Sequence, residues 1–188
     1  MTFRENESML RQIRRQAVTD ALTGLGNRRS LVTDLERALD GPEGAPERIL
    51  VIFDLNGFKR YNDTFGHPAG DELLARLGRR LRAAIGEDGA AYRIGGDEFC
   101  AVVTGSGETV GAVTKRAAQA LTESDRGVEV SSSWGVAAIP DEAATPSEAM
   151  QLADVRMYAQ KESRRLAHPA VPPLPEASEV SEAEAVER

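Results

Sequence analysis

Sulfur and imidazole ligands are scarce in this chain of 188 residues, which contains one cysteine and two histidines. The lone Cys100 excludes an internal disulfide, and so few thiols and imidazoles argue against a zinc site. Any bound metal is therefore expected to have oxygen ligands.

Long apolar runs are also lacking. No run reaches the roughly 18 residues that a membrane-spanning helix needs. The opening residues MTFRENESML lack the apolar core of a signal peptide. We therefore expect a cytoplasmic chain without a membrane segment.

Positive charge is in deficit, since 23 lysines and arginines face 30 aspartates and glutamates, for a net charge of −7. Phosphate contacts need a basic face, so this balance argues against non-specific nucleic-acid binding. The composition, 41% apolar and 28% charged, suits one α/β domain with a sizeable core.

The two ends of the chain differ in pattern from its middle. Apolar residues recur over residues 3–17 at spacings of seven, three and four, which predicts an amphipathic helix. That helix either packs on its own domain or ends a coiled coil. Residues 168–188, rich in proline and glutamate, have too few large apolar groups to fold, so we expect them to be disordered. The predicted organisation is a helix over 1–18, one domain over 19–167 and an acidic tail.

Hydrophobic periodicity predicts alternating helices and strands between these ends. Strands 90–94 and 98–103 are joined by a tight turn and must be antiparallel, which excludes a purely parallel, doubly wound sheet. We therefore expect an α/β fold in which helices cover a mixed or antiparallel sheet. The other predicted strands are 48–55 and 128–139, and the predicted helices are 28–40, 67–85, 108–124 and 145–165.

The stretch RIGGDEF, residues 93–99, puts two glycines and two carboxylates at that turn. Gly95 and Gly96 are expected to adopt the positive φ angles of a hairpin turn, which leaves Asp97 and Glu98 at the start of the outgoing strand. Taken alone, this pattern is best explained as an ordinary solvated turn.

A third carboxylate, Asp54, closes the apolar strand 48–55, where an unpaired charge is costly to bury. If the two strands are neighbours, Asp54 converges with Asp97 and Glu98. Three carboxylates so close repel one another unless a cation lies among them, and oxygen ligands select Mg²⁺ or Mn²⁺. Such a cluster is typical of metal-assisted phosphoryl or nucleotidyl transfer.

The motifs DALTGLGNRRSL, DLNGFKRYNDTFGHPAGDELL, RIGGDEF and ADVRMYAQK follow one another within residues 17–165. In order and spacing they resemble the GGDEF-domain diguanylate cyclases. The resemblance implies that two GTP molecules are condensed into cyclic di-GMP and two pyrophosphates by a homodimer, in which each chain supplies one GTP. It also implies a five-stranded, mainly antiparallel sheet similar to a polymerase palm. A sensor domain is expected to precede this chain in a larger bacterial signalling protein.

Carried over to this sequence, the resemblance implies that Asp54, the backbone carbonyl of Leu55 and Asp97 bind the ions. Glu98 is expected either to be a further ligand or to help deprotonate the attacking 3′-hydroxyl, and Asp97 remains an alternative as the base. A hydroxyl bound to metal has a lowered pKa of its own, so a dedicated base is not required.

Phosphate binding is implied for two segments. After Asp54, Gly57 and Phe58 open a short helix whose free N–H groups can cradle phosphates, and Lys59 can neutralise the charge that develops there. Lys161 and Arg165 match the positions that hold the terminal phosphates. Their alternative explanation is a solvated helix end that favours cations.

Base recognition is implied for Asn62 and Asp71, since an amide and a carboxylate together can satisfy the donors and acceptors of guanine. Helix capping is the alternative explanation of Asp71. His67 matches a position beside the substrate, although a lone histidine before a helix is as readily structural. Arg93 is expected to support the phosphates.

Four positions depart from the family pattern. Asn56 stands where many members have a second aspartate. Arg164 replaces a glycine, so the last helix is expected to continue through it. Gly86 and Gly89 occupy the places of the arginine and aspartate that open the inhibitory product site, so that site is predicted to be absent.

Three functions therefore remain open. An active diguanylate cyclase is favoured by the intact Asp54, Asp97 and Glu98. A module that binds GTP or cyclic di-GMP without turnover is the first alternative. The second is a palm-type enzyme that accepts ATP or makes a mixed dinucleotide, against which Asp71 argues.

Overall fold

The computed structural model describes residues 18–42, 45–105 and 107–167. The predicted helix over 3–17 and the predicted disordered tail over 168–188 lie outside these residues. The helices are α1 (Arg28–Leu39), α2 (Phe58–Phe65), α3 (His67–Ile85), α4 (Gly107–Ala120) and α5 (Pro146–Ala167), and a 3₁₀ turn spans Gly86–Asp88. The strands are β1 (Arg48–Asn56), β2 (Gly89–Gly95), β3 (Glu98–Thr104), β4 (Glu123–Asp125) and β5 (Val128–Ile139).

The sheet has five strands in the order β2-β3-β1-β5-β4, and its strands pair antiparallel throughout. β1 lies at its centre because the strand is apolar on both faces, and Ile49 through Phe53 are all buried. The predicted mainly antiparallel sheet covered by helices is confirmed.

Helices cover both faces of this sheet. Since side chains alternate along β1, Val51 and Phe53 face one layer while Leu50 and Ile52 face the other. The first layer contains α3 and α4, and its buried residues include Leu73, Leu77, Leu81, Val113 and Ala117. The second layer contains α1 and α5, and its buried residues include Leu31, Leu35, Ala149, Ala153 and Met157.

A close approach between α5 and β5 orients the last helix over the sheet. A Cβ atom on Gly135 would overlap the backbone of Ala153 and Met157, so only glycine lets the helix lie this close. This contact aligns α5 along β5 and carries its last turns toward the end of β1.

Two details of the sequence prediction are wrong. The helix predicted over 108–124 ends at Ala120, and Glu123–Asp125 instead form β4. The two residues that join β4 to β5, Arg126 and Gly127, both have positive φ, the geometry of a tight hairpin. Pairing with β5 therefore outweighs the helical periodicity of the segment.

The second correction concerns the RIGGDEF turn. Gly95 belongs to β2 and pairs with Glu98, so the turn consists of Gly96 and Asp97. Of the two glycines only Gly96 has positive φ, 27°. Glu98 opens β3 as predicted, whereas Asp97 lies in the turn itself.

The structure contains no helix, among its described residues, with the length and apolar character needed to cross a membrane.

Candidate active site

The end of β1 and the RIGGDEF turn meet through backbone pairing. Asp54 lies directly opposite Glu98 in the β1–β3 register. One residue further on, the Leu55 amide donates a hydrogen bond of 3.2 Å to the carbonyl oxygen of Asp97. The sheet therefore brings these backbones together, as the sequence predicts for neighbouring strands.

Negative charge accumulates at this junction. Burial raises the pKa of Glu98, and the charges of Asp54, Asp97 and Asp154 raise it further, whereas Arg28 opposes them. The site therefore favours binding of a positive charge, which would relieve this repulsion.

Lys161 supplies one such charge from α5. Its Nζ lies 2.5 Å from Oδ1 of Asp54, whose side chain is only 16% exposed. The family resemblance implies that Lys161 holds a terminal phosphate, and it does not anticipate this ion pair.

The carboxylates of Asp54, Asp97 and Glu98 do not point to a common centre as closely as their backbones pair. Among the described residues, no group of three or more histidine, cysteine or acidic side chains is arranged to hold a metal ion. Glu98 faces a cavity of about 430 Å³ with Arg28 and Asp154, whereas Asp97 faces another cavity. The donor set still fits Mg²⁺ or Mn²⁺ chemically, because every candidate ligand is an oxygen and the ion pair with Lys161 involves only Asp54.

The cavity that Asp97 faces lies between α2 and α3 and has a volume of about 400 Å³. Asn62 and Asp71, predicted to read the base, both line it. Helix capping does not account for Asp71, because α3 starts at His67 and has no acidic residue in its first turn. The remaining polar lining includes Lys59, Asp63, His67 and Arg93.

A larger cavity, of about 750 Å³, opens beside the start of α2. Gly57 caps this helix in the left-handed conformation, with φ of 80° and no side-chain cap, so the first N–H groups of α2 remain available. Lys161 and Arg165 line the same cavity. Gly57, Lys161 and Arg165 thus line one opening, whereas Lys59 lines the cavity between α2 and α3 and Phe58 is buried in the core.

Arg164 also lines this cavity, and the sequence identifies it only as a departure from the family pattern. Its Nη1 donates a hydrogen bond of 2.7 Å to the carbonyl oxygen of Ser132. The helix continues through Arg164, as predicted. Its guanidinium adds a third cation to those of Lys161 and Arg165.

Arg93 makes contacts within the protein that the resemblance does not anticipate. Its Nε and Nη2 donate to the carbonyl oxygen of Gly96, at 3.0 and 2.7 Å, and its Nη1 lies 3.1 Å from an Asp20 carboxylate oxygen. Burial raises the pKa of Asp20, but the Thr23 donors and the Arg93 charge outweigh burial, so the pKa is lowered. Arg93 thus ties the turn to the loop before α1.

We expect Arg93→Ala to destabilise the protein by about 2 kcal/mol, because hydrogen bonds to a largely buried charged group are lost. Activity should fall as well, since the turn that carries Asp97 is released. Urea unfolding of both proteins measures the stability change. Arg37→Ala is the matched control, because Arg37 forms an exposed pair with Asp34 and should cost less than about 1 kcal/mol. Equal costs for the two variants would contradict this role of Arg93.

Comparisons with known proteins agree with this geometry. The family model described as "Diguanylate cyclase, GGDEF domain" matches residues 17–166. The diguanylate cyclase DgcS of Shewanella oneidensis is 36% identical over 166 residues, which are 85% of this chain and 55% of that protein. An uncharacterized signaling protein of Caulobacter vibrioides is 38% identical over 171 residues, 87% of this chain and 21% of that protein. This chain thus spans between about one fifth and about half of the length of these relatives.

A solved structure shares the fold. The crystal structure of a sensory box/GGDEF family protein from Caulobacter crescentus is 38% identical to this chain and matches it with a TM-score of 0.68. The match covers 78% of this chain and 99% of that one.

Proposed function

The chain belongs to the GGDEF-domain family of diguanylate cyclases, and we propose that it condenses two GTP molecules into cyclic di-GMP with release of two pyrophosphates. The observation that carries the proposal is the cavity between α2 and α3. It combines an amide, Asn62, and a carboxylate, Asp71, with Asp97 of the turn next to the paired Asp54 and Glu98.

Guanine recognition follows from the chemistry of that cavity. The Asp71 carboxylate can accept hydrogen bonds from the N1–H and N2–H groups of guanine, while the Asn62 amide offers a donor for O6 or N7. Adenine presents the opposite pattern along this edge and would leave Asp71 unpaired. A site of this kind selects GTP over ATP.

The phosphates then extend toward the start of α2. The free N–H groups after Gly57 favour anions there, and Lys59 lies on the same helix. Lys161 and Arg165 approach from α5. Because Lys161 both pairs with Asp54 and lines this cavity, its ammonium can contact a phosphate there in place of the Asp54 carboxylate.

The metal site is proposed at Asp54, the Leu55 carbonyl and Asp97, with Glu98 as a further ligand or as the base. Mg²⁺ or Mn²⁺ held there would supply positive charge where the reacting phosphate gains negative charge. The role of the carboxylates is to hold that charge beside the turn, whose position Arg93 maintains.

Dimerisation is proposed from the stoichiometry of the reaction. Each chain has one cavity with the base-reading pair, whereas the product contains two guanosines. Two copies must therefore face each other, so that the 3′-hydroxyl of each GTP attacks the α-phosphate of the other and each pyrophosphate leaves. We further propose an upstream sensor, because the relatives are much longer than this chain.

A module that binds GTP without turnover is the second candidate, favoured by one observation. Lys161 pairs with Asp54, so a predicted metal ligand is already neutralised.

Incubation with GTP or ATP in the presence of Mg²⁺, followed by chromatography, separates these functions. An active cyclase converts GTP into cyclic di-GMP and does not convert ATP. GTP binding without any product would support the binding module, and an adenine-containing product would contradict the proposed base specificity.

Product inhibition is expected to be far weaker than in members with the arginine–aspartate site. Bidentate contacts to the dinucleotide need a guanidinium and a carboxylate, which Gly86 and Gly89 lack. A side chain on Gly89 would overlap the Val102 backbone, so an aspartate does not fit without a backbone shift. The nearby Asp88 carboxylate already pairs with Arg116 at 2.8 Å.

Initial rates measured with added cyclic di-GMP, beside calorimetric titration of the nucleotide-free protein, check this expectation. Weak competition with GTP is the expected result. Non-competitive inhibition at sub-micromolar product would contradict it and would point to a site formed by other residues, such as Arg79, Arg80 or Arg82.

A further inference from the structure

Gly70 leaves a gap in α3 that the side chain of Asn62 fills. Gly70 is buried where α3 crosses α2. A Cβ atom on this residue would overlap the amide oxygen of Asn62 and would lie 2.9 Å from its Cγ. The same atom would lie 3.3 Å from Cζ of Phe58, a distance that a small shift of the ring can accommodate. The severe conflict is therefore with Asn62 alone.

Packing rather than hydrogen bonding holds the Asn62 amide at this position. Within the described part of the chain, Oδ1 of Asn62 is buried and has no hydrogen-bond partner. Native proteins pair most buried polar groups, because an unpaired one is costly. Because no hydrogen bond holds this oxygen, its close packing against Gly70 limits where the Asn62 amide lies.

The backbone around this contact is tightly connected. The amide of Gly66 donates to the carbonyl of Asn62 at 2.8 Å, and the amide of Gly70 donates to the carbonyl of Gly66 at 3.2 Å. Gly66, with φ of 83°, joins the two helices without any intervening loop. The helices cannot easily separate to make room for a larger residue, so the side chain of Asn62 would have to move.

Glycine in the interior of a helix lowers the stability of that helix relative to alanine. Gly111 in α4 shows the contrast, since a Cβ atom there would meet nothing within 4 Å. At Gly70 the absence of a methyl group makes room for the side chain of Asn62. Together with Asp71, Asn62 lines the cavity between α2 and α3.

We propose that Gly70 is a positioning residue for base recognition, which fixes the Asn62 amide in the orientation that reads guanine. The proposal rests on the proposed function, since it requires that Asn62 contacts the base. Gly70 itself does not line the cavity between α2 and α3. Its effect should therefore appear in nucleotide affinity and in selectivity between bases, and it should depend on Asn62.

The test is a double-mutant cycle on the full chain with Gly70→Ala, Asn62→Ala and the double variant, and Gly111→Ala as the helical control. Calorimetric titration with GDP and with ADP measures base recognition without turnover. We expect each single substitution at the site to weaken GDP binding by about tenfold and to leave ADP binding unchanged. Gly70→Ala should cost less than about twofold once Asn62 is already alanine, because the overlapping amide is gone. In the cyclisation reaction, Gly70→Ala should raise KM for GTP more than it lowers kcat.

The outcomes separate the two proposals. If Asn62→Ala leaves the ratio of GDP to ADP affinity unchanged, base reading by Asn62 is wrong, and the role of Gly70 is wrong with it. If Asn62→Ala weakens GDP binding but Gly70→Ala does not, only the role of Gly70 is overturned. Additive effects in the double variant would also overturn it. Should Gly70→Ala fail to fold, a double variant that folds like Asn62→Ala supports the proposed contact, and one that also fails to fold contradicts it.

Discussion

Asp97→Ala is expected to abolish cyclic di-GMP synthesis while the fold survives. Asp97 lies in the two-residue turn, and its contribution to the sheet is a backbone carbonyl that accepts from Leu55. Alanine keeps that carbonyl and removes only the carboxylate that faces the cavity. Losing one element of electrostatic stabilisation typically lowers kcat by about 10²- to 10³-fold. Losing a ligand of the catalytic ions should cost at least as much.

Asp54→Ala, in the neighbouring strand β1, should also abolish cyclic di-GMP synthesis. Because the Asp54 charge raises the pKa of Glu98, its removal should lower that pKa and relieve repulsion rather than damage the sheet. It also leaves Lys161 without its ion-pair partner in the structure. Activity should be lost although stability is retained.

Product chromatography measures activity, and thermal unfolding reports the fold. Asp141→Ala is the matched control, an exposed aspartate in the turn after β5. Turnover of Asp54→Ala or Asp97→Ala within a few fold of the unmodified chain would show that these carboxylates do not hold the catalytic ions.

Asp71→Ala is expected to reduce discrimination between GTP and ATP more than it reduces the rate with saturating nucleotide. Sites that hydrogen-bond a substrate group reject an analogue without it by up to about 10⁴-fold, because buried polar groups are otherwise left unpaired. Without the Asp71 carboxylate, binding of ATP no longer leaves that polar group unpaired. KM for GTP should therefore rise, while ATP should become a relatively better competitor. Asn62→Ala should act in the same direction.

Competition assays with both nucleotides measure this selectivity. Glu72→Ala is the control, since Glu72 is the next exposed carboxylate on α3 and does not line the cavity. Unchanged selectivity in both Asp71→Ala and Asn62→Ala would refute base reading by this pair.

The sequence by itself determined the central strand and the hairpin, whereas the meeting of Asp54 with Glu98 also required that β1 pair with β3. β1 is recognisable because a run of apolar residues that ends at an acidic one is buried on both faces. The hairpin follows from two short apolar runs around a turn, and antiparallel pairing of adjacent strands then requires no other information. The strand and the hairpin depend on local patterns, which the sequence contains directly.

The extent of the helix after β3 could not be obtained in this way. Residues 123–125 continue a helical pattern, but β5 offers them a pairing partner through a hairpin whose residues have positive φ. The competition between the two structures is decided by a contact with another part of the chain. Periodicity within the segment carries no information about that contact.

The tertiary structure alone decided how the side chains of the candidate site are held. The Lys161–Asp54 ion pair joins residues 107 positions apart, and Arg93 reaches Asp20 across 73 positions. The gap at Gly70 becomes meaningful only where α2 and α3 cross and the Asn62 amide fills it. Each of these depends on the relative placement of packed elements, and that placement is the sum of many small contacts across the core rather than a property of any one segment.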